Sequence, residues 1–179
     1  MLTSDQAALL MIDVQGKLAR TVSESGRVLT NLEKLTRGAR LFGLPVIVTE
    51  QNPQGLGPTI PELQKLLGDF VPVETTAFNA CADSAFVREI RKTGRSRILV
   101  CGIEAHICVY QTVAGLIGMG CEVEVAADAV SSRTAENRRL ALDRMRDMGA
   151  AISSTEMVLF ELMQAAEGEA FSEFIRIVK

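Results

Sequence analysis

Cys108 falls in or near the first turn of a helical stretch, Ala105 to Met119, that follows a short apolar run, Arg97 to Cys101. At the start of a helix, unpaired backbone N–H groups and the helix dipole favour a thiolate over a thiol, which is the setting of a nucleophile. A structural cysteine fits the same place, because free cysteine often packs as a small hydrophobe. Asp13 closes another apolar run, Ala7 to Ile12. A carboxylate beside a thiol would accept its proton and later return it to a leaving group. A helix cap or loop carboxylate is the plainer reading of the same residue. His106 is the only histidine. Lying two residues from Cys108 on a helix, it points in another direction and reads as a packing residue rather than a base.

The remaining candidates are weaker. Cys101 and Cys121 lie in or beside apolar strand-like runs and fit a structural role; Cys81 is undecided. None of the four cysteines shows CxxC spacing or the density of a disulfide scaffold, so reduced thiols are expected. A single histidine excludes a zinc site built on several imidazoles, and no metal or other cofactor is expected. The glycines of Gln54-Gly55-Leu56-Gly57 match no phosphate-binding pattern between a strand and a helix and read as turn glycines. Lys17 stands four residues beyond Asp13 and could lean over the site, although a solvated lysine is the simpler explanation. Gln15, Gln51, Phe78 and Tyr110 are further candidates for a pocket wall.

Strands and helices must alternate if these residues are to meet. The runs Ala7 to Ile12, Pro45 to Thr49, Phe70 to Val73, Arg97 to Cys101, Cys121 to Ala126 and Ala151 to Ser153 read as strands, most of them buried on both faces. Helical spacing fills Gly26 to Phe42, Glu62 to Leu67, Ser84 to Lys92, Ala105 to Met119, Ala135 to Met148 and the stretch to Lys179. Such alternation requires crossover connections and a mostly parallel α/β sheet covered on both faces. Ligands of open parallel sheets bind beyond the carboxyl ends of the strands, where Asp13-Val14-Gln15, Glu50-Gln51-Asn52 and Gly102 to Cys108 should converge. The 179 residues suit one domain spanning the chain. A net charge of -3, with both signs interspersed, gives no footprint for nucleic acid or an anionic membrane, so a small molecule is the expected partner. Met1 to Gln6 shows no signal-like segment and no apolar run reaches bilayer length, which points to a cytoplasmic protein.

Four segments, taken together and in order, carry a resemblance: Leu10 to Gln15, Thr49 to Gly57, Gly102 to Val109 and Leu159 to Leu162. The chain resembles the isochorismatase-like cysteine hydrolases along its whole length, and within them the small proteins related to isochorismatase and nicotinamidase. The resemblance implies a three-layer, Rossmann-like α/β/α sandwich with a mostly parallel six-stranded sheet, association into a homo-oligomer, and a triad of aspartate, lysine and cysteine. Asp13 and Cys108 match two of the three. The lysine motif aligns with Thr75-Thr76-Ala77-Phe78-Asn79, so Thr75 stands where the lysine belongs. Threonine carries no charge and cannot stabilise Asp13 or a developing anion as an ammonium would. A cis peptide between Ile103 and Glu104 is also implied, with backbone N–H groups near Glu104 and at Cys108 facing the oxygen under attack.

The expected activity is metal-independent hydrolysis of a C–N, amide-like bond of a small molecule through a Cys108 thioester, with Asp13 as acid and base. Thr75 supports a different expectation, a non-catalytic relative that binds a small ligand or serves in an assembly. A redox-responsive thiol protein is a third possibility, weakened by the lack of a visible resolving cysteine.

Overall fold

The computed structural model describes residues 1–179. Its six strands are β1 (Ala7–Ile12), β2 (Val46–Gln51), β3 (Val73–Thr75), β4 (Arg97–Ile103), β5 (Glu122–Ser131) and β6 (Ala151–Ser153). They form one sheet in the order β3-β2-β1-β4-β5-β6, and every ladder is parallel. All six residues of β1 are buried, which explains its unbroken apolar sequence: helices cover both faces.

The period-two geometry of a strand divides the core. Ala7, Leu9 and Met11 join one cluster with Leu32 and Leu35 of α2 (Ser25–Leu41), Val158 and Leu159 of α8 (Thr155–Met163) and Phe174 of α9 (Phe171–Val178). Ala8, Leu10 and Ile12 join the other with Phe86 and Ile90 of α5 (Ser84–Lys92), Val113 and Leu116 of α6 (Tyr110–Gly118) and Met145 of α7 (Ala135–Asp147). The result is the expected three-layer α/β/α sandwich.

Several boundaries differ from the sequence reading. The third strand begins at Val73 rather than Phe70, because Pro72 has no N–H to give a ladder. The fourth and fifth strands run further, to Ile103 and Ser131. Between them the register shifts: Val100 pairs with Val125, but Gly102 pairs with Val130. This irregularity inserts extra β5 residues opposite a short piece of β4, and periodicity alone gives no sign of it. The helical pattern after Ser153 breaks into α8 and α9 around Gly168, whose φ of 91° no helix accommodates. Short helices α1 (Leu18–Thr21) and α3 (Pro53–Leu56) border the strand mouths, while α4 (Pro61–Leu67) packs against α2.

Candidate active site

The chain runs outward from β1 through β2 to β3, then returns to lay β4 on the other side of β1. The carboxyl ends of β1 and β4 therefore flank the point where strand order reverses, the place where parallel sheets hold ligands. Asp13 is the first residue past β1. It is 3% exposed and adopts a left-handed backbone with φ of 52°, a conformation aspartate tolerates better than most residues. Its backbone N–H donates to the Thr49 carbonyl at 3.2 Å, and the Thr49 hydroxyl donates to its Oδ1 at 2.6 Å.

The loop after β2 is tied to this mouth by two buried side chains. Gln15 Nε2 donates to the carbonyls of Gln51 and Gly57 at 3.2 and 2.7 Å, while its Oε1 accepts from the Gln51 N–H at 2.8 Å. Glu50 Oε1 accepts from both the N–H and the hydroxyl of Thr59, each at 2.7 Å. Gly16 allows the close approach: a Cβ there would lie 2.2 Å from the Leu56 carbonyl oxygen.

β4 delivers the nucleophile candidate. After the cis peptide between Ile103 and Glu104, the chain makes one wide π-type turn, Ala105 to Val109, before α6. Cys108 lies in that turn, buried, with its thiol against the Asp13 carboxyl. His106 faces away and its Nδ1 meets the Ser132 hydroxyl at 2.9 Å. Asp13, Gln51, Phe78, Glu104, Cys108 and Arg133 line a cavity of about 290 Å³ here, whose apolar wall comes from Leu18, Leu56, Ile103 and Ile107. A larger groove of about 530 Å³ lies between α2 and α4, lined by Arg37, Arg40 and Lys65, but it holds no nucleophile and lies away from the strand ends.

The electrostatics overturn one expectation. Burial pushes the Cys108 thiol well up, the Asp13 carboxylate pushes it further, and the Glu104 backbone N–H opposes them only in part. Desolvation and a neighbouring anion outweigh the pull of the helix start, so the resting sulfur is a thiol. Burial likewise raises Asp13 above the usual carboxyl value of 3.8, against the hydrogen bonds from Thr49, Cys108 and the Gln51 backbone. No cation is among the groups that act most strongly on either residue. The other thiols are also raised by burial, Cys81 to about 12.

Of the wall candidates, Gln51 and Phe78 line the cavity. Gln15 is a buried tie instead, Lys17 is exposed and outside the cavity wall, and Tyr110 is half-buried outside it, where Arg144 stacks over its ring at 5.7 Å. Thr75 is buried at the end of β3, and its hydroxyl accepts from the Ala77 N–H at 3.0 Å. It borders a separate surface hollow with Asn52 and Glu74 rather than the cavity. Its register partner is Gln51, which leaves it two strands from β1, a gap of about 10 Å that threonine is too short to cross.

Arg133 is the site residue that the sequence reading missed. It lies two residues past Ser131, which the register shift brings beside Ile103. Glu104, 6% exposed, holds it: Oε1 accepts from the Arg133 backbone N–H at 2.9 Å and from its Nε at 3.1 Å. Extending the fifth strand to Ser131 would have placed Arg133 at a strand mouth; ending it at Ala126 hid the residue.

The isochorismatase domain model matches residues 7–157. The chain belongs to the isochorismatase family. Isochorismatase domain-containing protein 2 of Danio rerio is 35% identical over 99% of this chain and 89% of its own. The structure of MAR1 ribonuclease from Caenorhabditis elegans superposes with a TM-score of 0.92 at 32% identity, covering 99% of this chain and 91% of that one. The YcaC gene product from Escherichia coli, described as an octameric hydrolase of unknown specificity, gives 0.92 at 27% identity over 98% and 89% of the two chains. The isochorismatase-type hydrolase fold is thus established for this chain, and none of its helices is long and apolar enough to cross a membrane.

Proposed function

We propose that this family member is a metal-independent cysteine hydrolase of a C–N amide bond in a small molecule. The observation that carries the reading is the Cys108 thiol set against the buried Asp13 carboxyl at the inner end of a cavity at the β1/β4 switch point. A thiol held protonated beside a carboxylate can lose its proton as it attacks, so no resting thiolate is required. Cys108 Sγ bonds to the amide carbon while its proton passes to Asp13. The carbonyl oxygen becomes an oxyanion between the N–H groups of Glu104 and Cys108. Asp13 then protonates the nitrogen, the C–N bond breaks and the amine leaves a Cys108 thioester. Water attacks that thioester, giving its proton to Asp13, and the product acid departs as the proton returns to sulfur.

The cavity, about 290 Å³, sits at the lower edge of the roughly 300–1,000 Å³ range of small-molecule sites, which favours a compact substrate. One cation in its wall is a poor match to a chain of phosphates, which argues against a ribonuclease activity like that named for the Caenorhabditis elegans protein. Assembly into a homo-oligomer is part of the same reading, supported by exposed apolar side chains at Val71, Phe78, Leu140, Met157 and Phe160 and by the octamer of the Escherichia coli neighbour.

The missing cation beside Asp13 and Cys108 favours a second reading, a family member that binds its ligand without turning it over. Acid-quenched intact-mass spectrometry during incubation with a panel of small amides separates the two. Hydrolysis through Cys108 leaves an acyl group on the Cys108 peptide for at least one amide. An enzyme that turns amides over with no such adduct under slow-deacylation conditions, or with the adduct on another cysteine, overturns the mechanism.

A further inference from the structure

The groove of about 530 Å³ between α2 and α4 concentrates positive charge. Arg37 and Arg40 of α2 and Lys65 of α4 face it, against a single carboxylate, Glu173 in the first turn of α9. Elsewhere on the surface, cations sit against carboxylates, as Arg20 does with Glu62, Arg97 with Glu122 and Arg139 with Asp143. None of the three groove cations belongs to an ion pair. Arg40 is tied down by one nitrogen, because its Nη1 donates to the Leu66 carbonyl in the last turn of α4. The carboxyl ends of α2 and α4 favour nearby cations, which accounts for Arg40 and in part for Lys65. They leave Arg37, which precedes the last turn of α2, without a partner.

A chain with a net charge of -3 thus gathers three unneutralised cations around one concavity, whose walls focus their field. A single exposed ion pair contributes little, so an occupant must meet several of these cations at once. A carboxylate offers two oxygens in one plane. A phosphate offers three acceptor oxygens and up to two charges, and so can meet donors that converge from two helices. Leu41 and Leu66 supply an apolar patch for an organic body, and the volume lies within the roughly 300–1,000 Å³ of small-molecule sites. Three cations in one hollow suit one or two phosphate groups rather than the repeating backbone of a nucleic acid.

We propose that the α2/α4 groove is a second, non-catalytic site that binds a soluble phosphate-bearing small molecule through Arg37, Arg40 and Lys65. No cysteine, serine or histidine lines it, so the ligand is held rather than turned over. The site stands whether or not Cys108 hydrolyses an amide.

The test is calorimetry on the full chain at pH 8 and low salt, with phenyl phosphate, pyrophosphate and benzoate as probes. Both phosphates should bind saturably at one site. Benzoate, which keeps the ring of phenyl phosphate but carries a planar, singly charged head, should bind at least about 10-fold more weakly, the cost of a lost charge-assisted contact. Arg37→Gln/Lys65→Gln should weaken both phosphates by about 10- to 100-fold while the tie from Arg40 to Leu66 and the melting midpoint are kept. Each single variant should give part of that loss, which keeps the test decisive if the double variant folds poorly. Arg88→Gln/Arg91→Gln on α5 removes the same charge away from the groove and should leave binding near wild type. Absence of saturable binding by either phosphate, benzoate binding as tightly as phenyl phosphate, binding that survives Arg37→Gln/Lys65→Gln, or an equal loss in the α5 variant would overturn the assignment.

Discussion

At Asp13 and Cys108 the protein places two proton-binding groups together in a buried setting, and that burial pushes each toward its neutral form. The consequence for stability can be signed. Because the folded Asp13 holds its proton more tightly than the unfolded one, the native state loses stability as pH rises from the ordinary value of 3.8 through the raised folded value, and the loss is complete above it. Asp13→Asn removes the ionisation while its side-chain oxygen can still accept from Thr49. The variant should therefore melt above wild type near neutrality, with the gap closing in acid below 3.8, and it should lose all Cys108-dependent hydrolysis. Thermal melts across pH check the first outcome; a gap that stays constant with pH refutes the linkage. Asp13, Cys108, Gln51 and Phe78 were legible in the sequence because the strand-mouth rule needs only the ends of β1, β2 and β4 and the family motif. The direction of the thiol's pKa was not legible, since helix position reveals neither burial nor the carboxylate opposite. Thr75 was placed in the triad by motif alignment, but the sheet register keeps it beside Gln51 and out of the cavity wall.

The elements that aim these residues depend on close backbone approaches. Gly102 has φ of 120°, and a Cβ there would lie 2.1 Å from the Ile12 carbonyl oxygen, in the strand that carries Asp13. Gly102→Ala must both strain the backbone and push β4 away from β1. A loss of about 3 kcal/mol or more is expected, which for a chain of this size lowers the melting midpoint by roughly 6–12 °C. Gly26→Ala, with nothing within 4 Å, is the control that should melt near wild type. Comparable midpoints for the two would show that the β1/β4 approach is not constrained. Uninterrupted apolar runs made the order of strands and helices readable, and Ser84 to Lys92 and Ala151 to Ser153 match to the residue. Pro72 and the β4/β5 register shift are where reading failed: one denies a ladder bond, the other depends on a pairing partner that no local pattern records. The shift also carried Arg133 out of sight.

For the molecule as a whole, the exposed apolar side chains are spread over several elements, from Val71 before β3 to Phe160 on α8. Phe78 is half exposed and lines the active-site cavity as well. A homo-oligomer would cover part of this surface, and multi-angle light scattering should give a mass that is a multiple of 19.4 kDa. A single-chain mass at micromolar concentration contradicts that assembly. The chemistry itself is tested most directly by ammonia release from primary amides, measured for wild type and Cys108→Ala side by side. Wild type should release ammonia from at least one small amide, and Cys108→Ala should fall to the uncatalysed rate. Release that persists in Cys108→Ala, or none from wild type with any amide, contradicts a cysteine hydrolase built on Cys108 and Asp13.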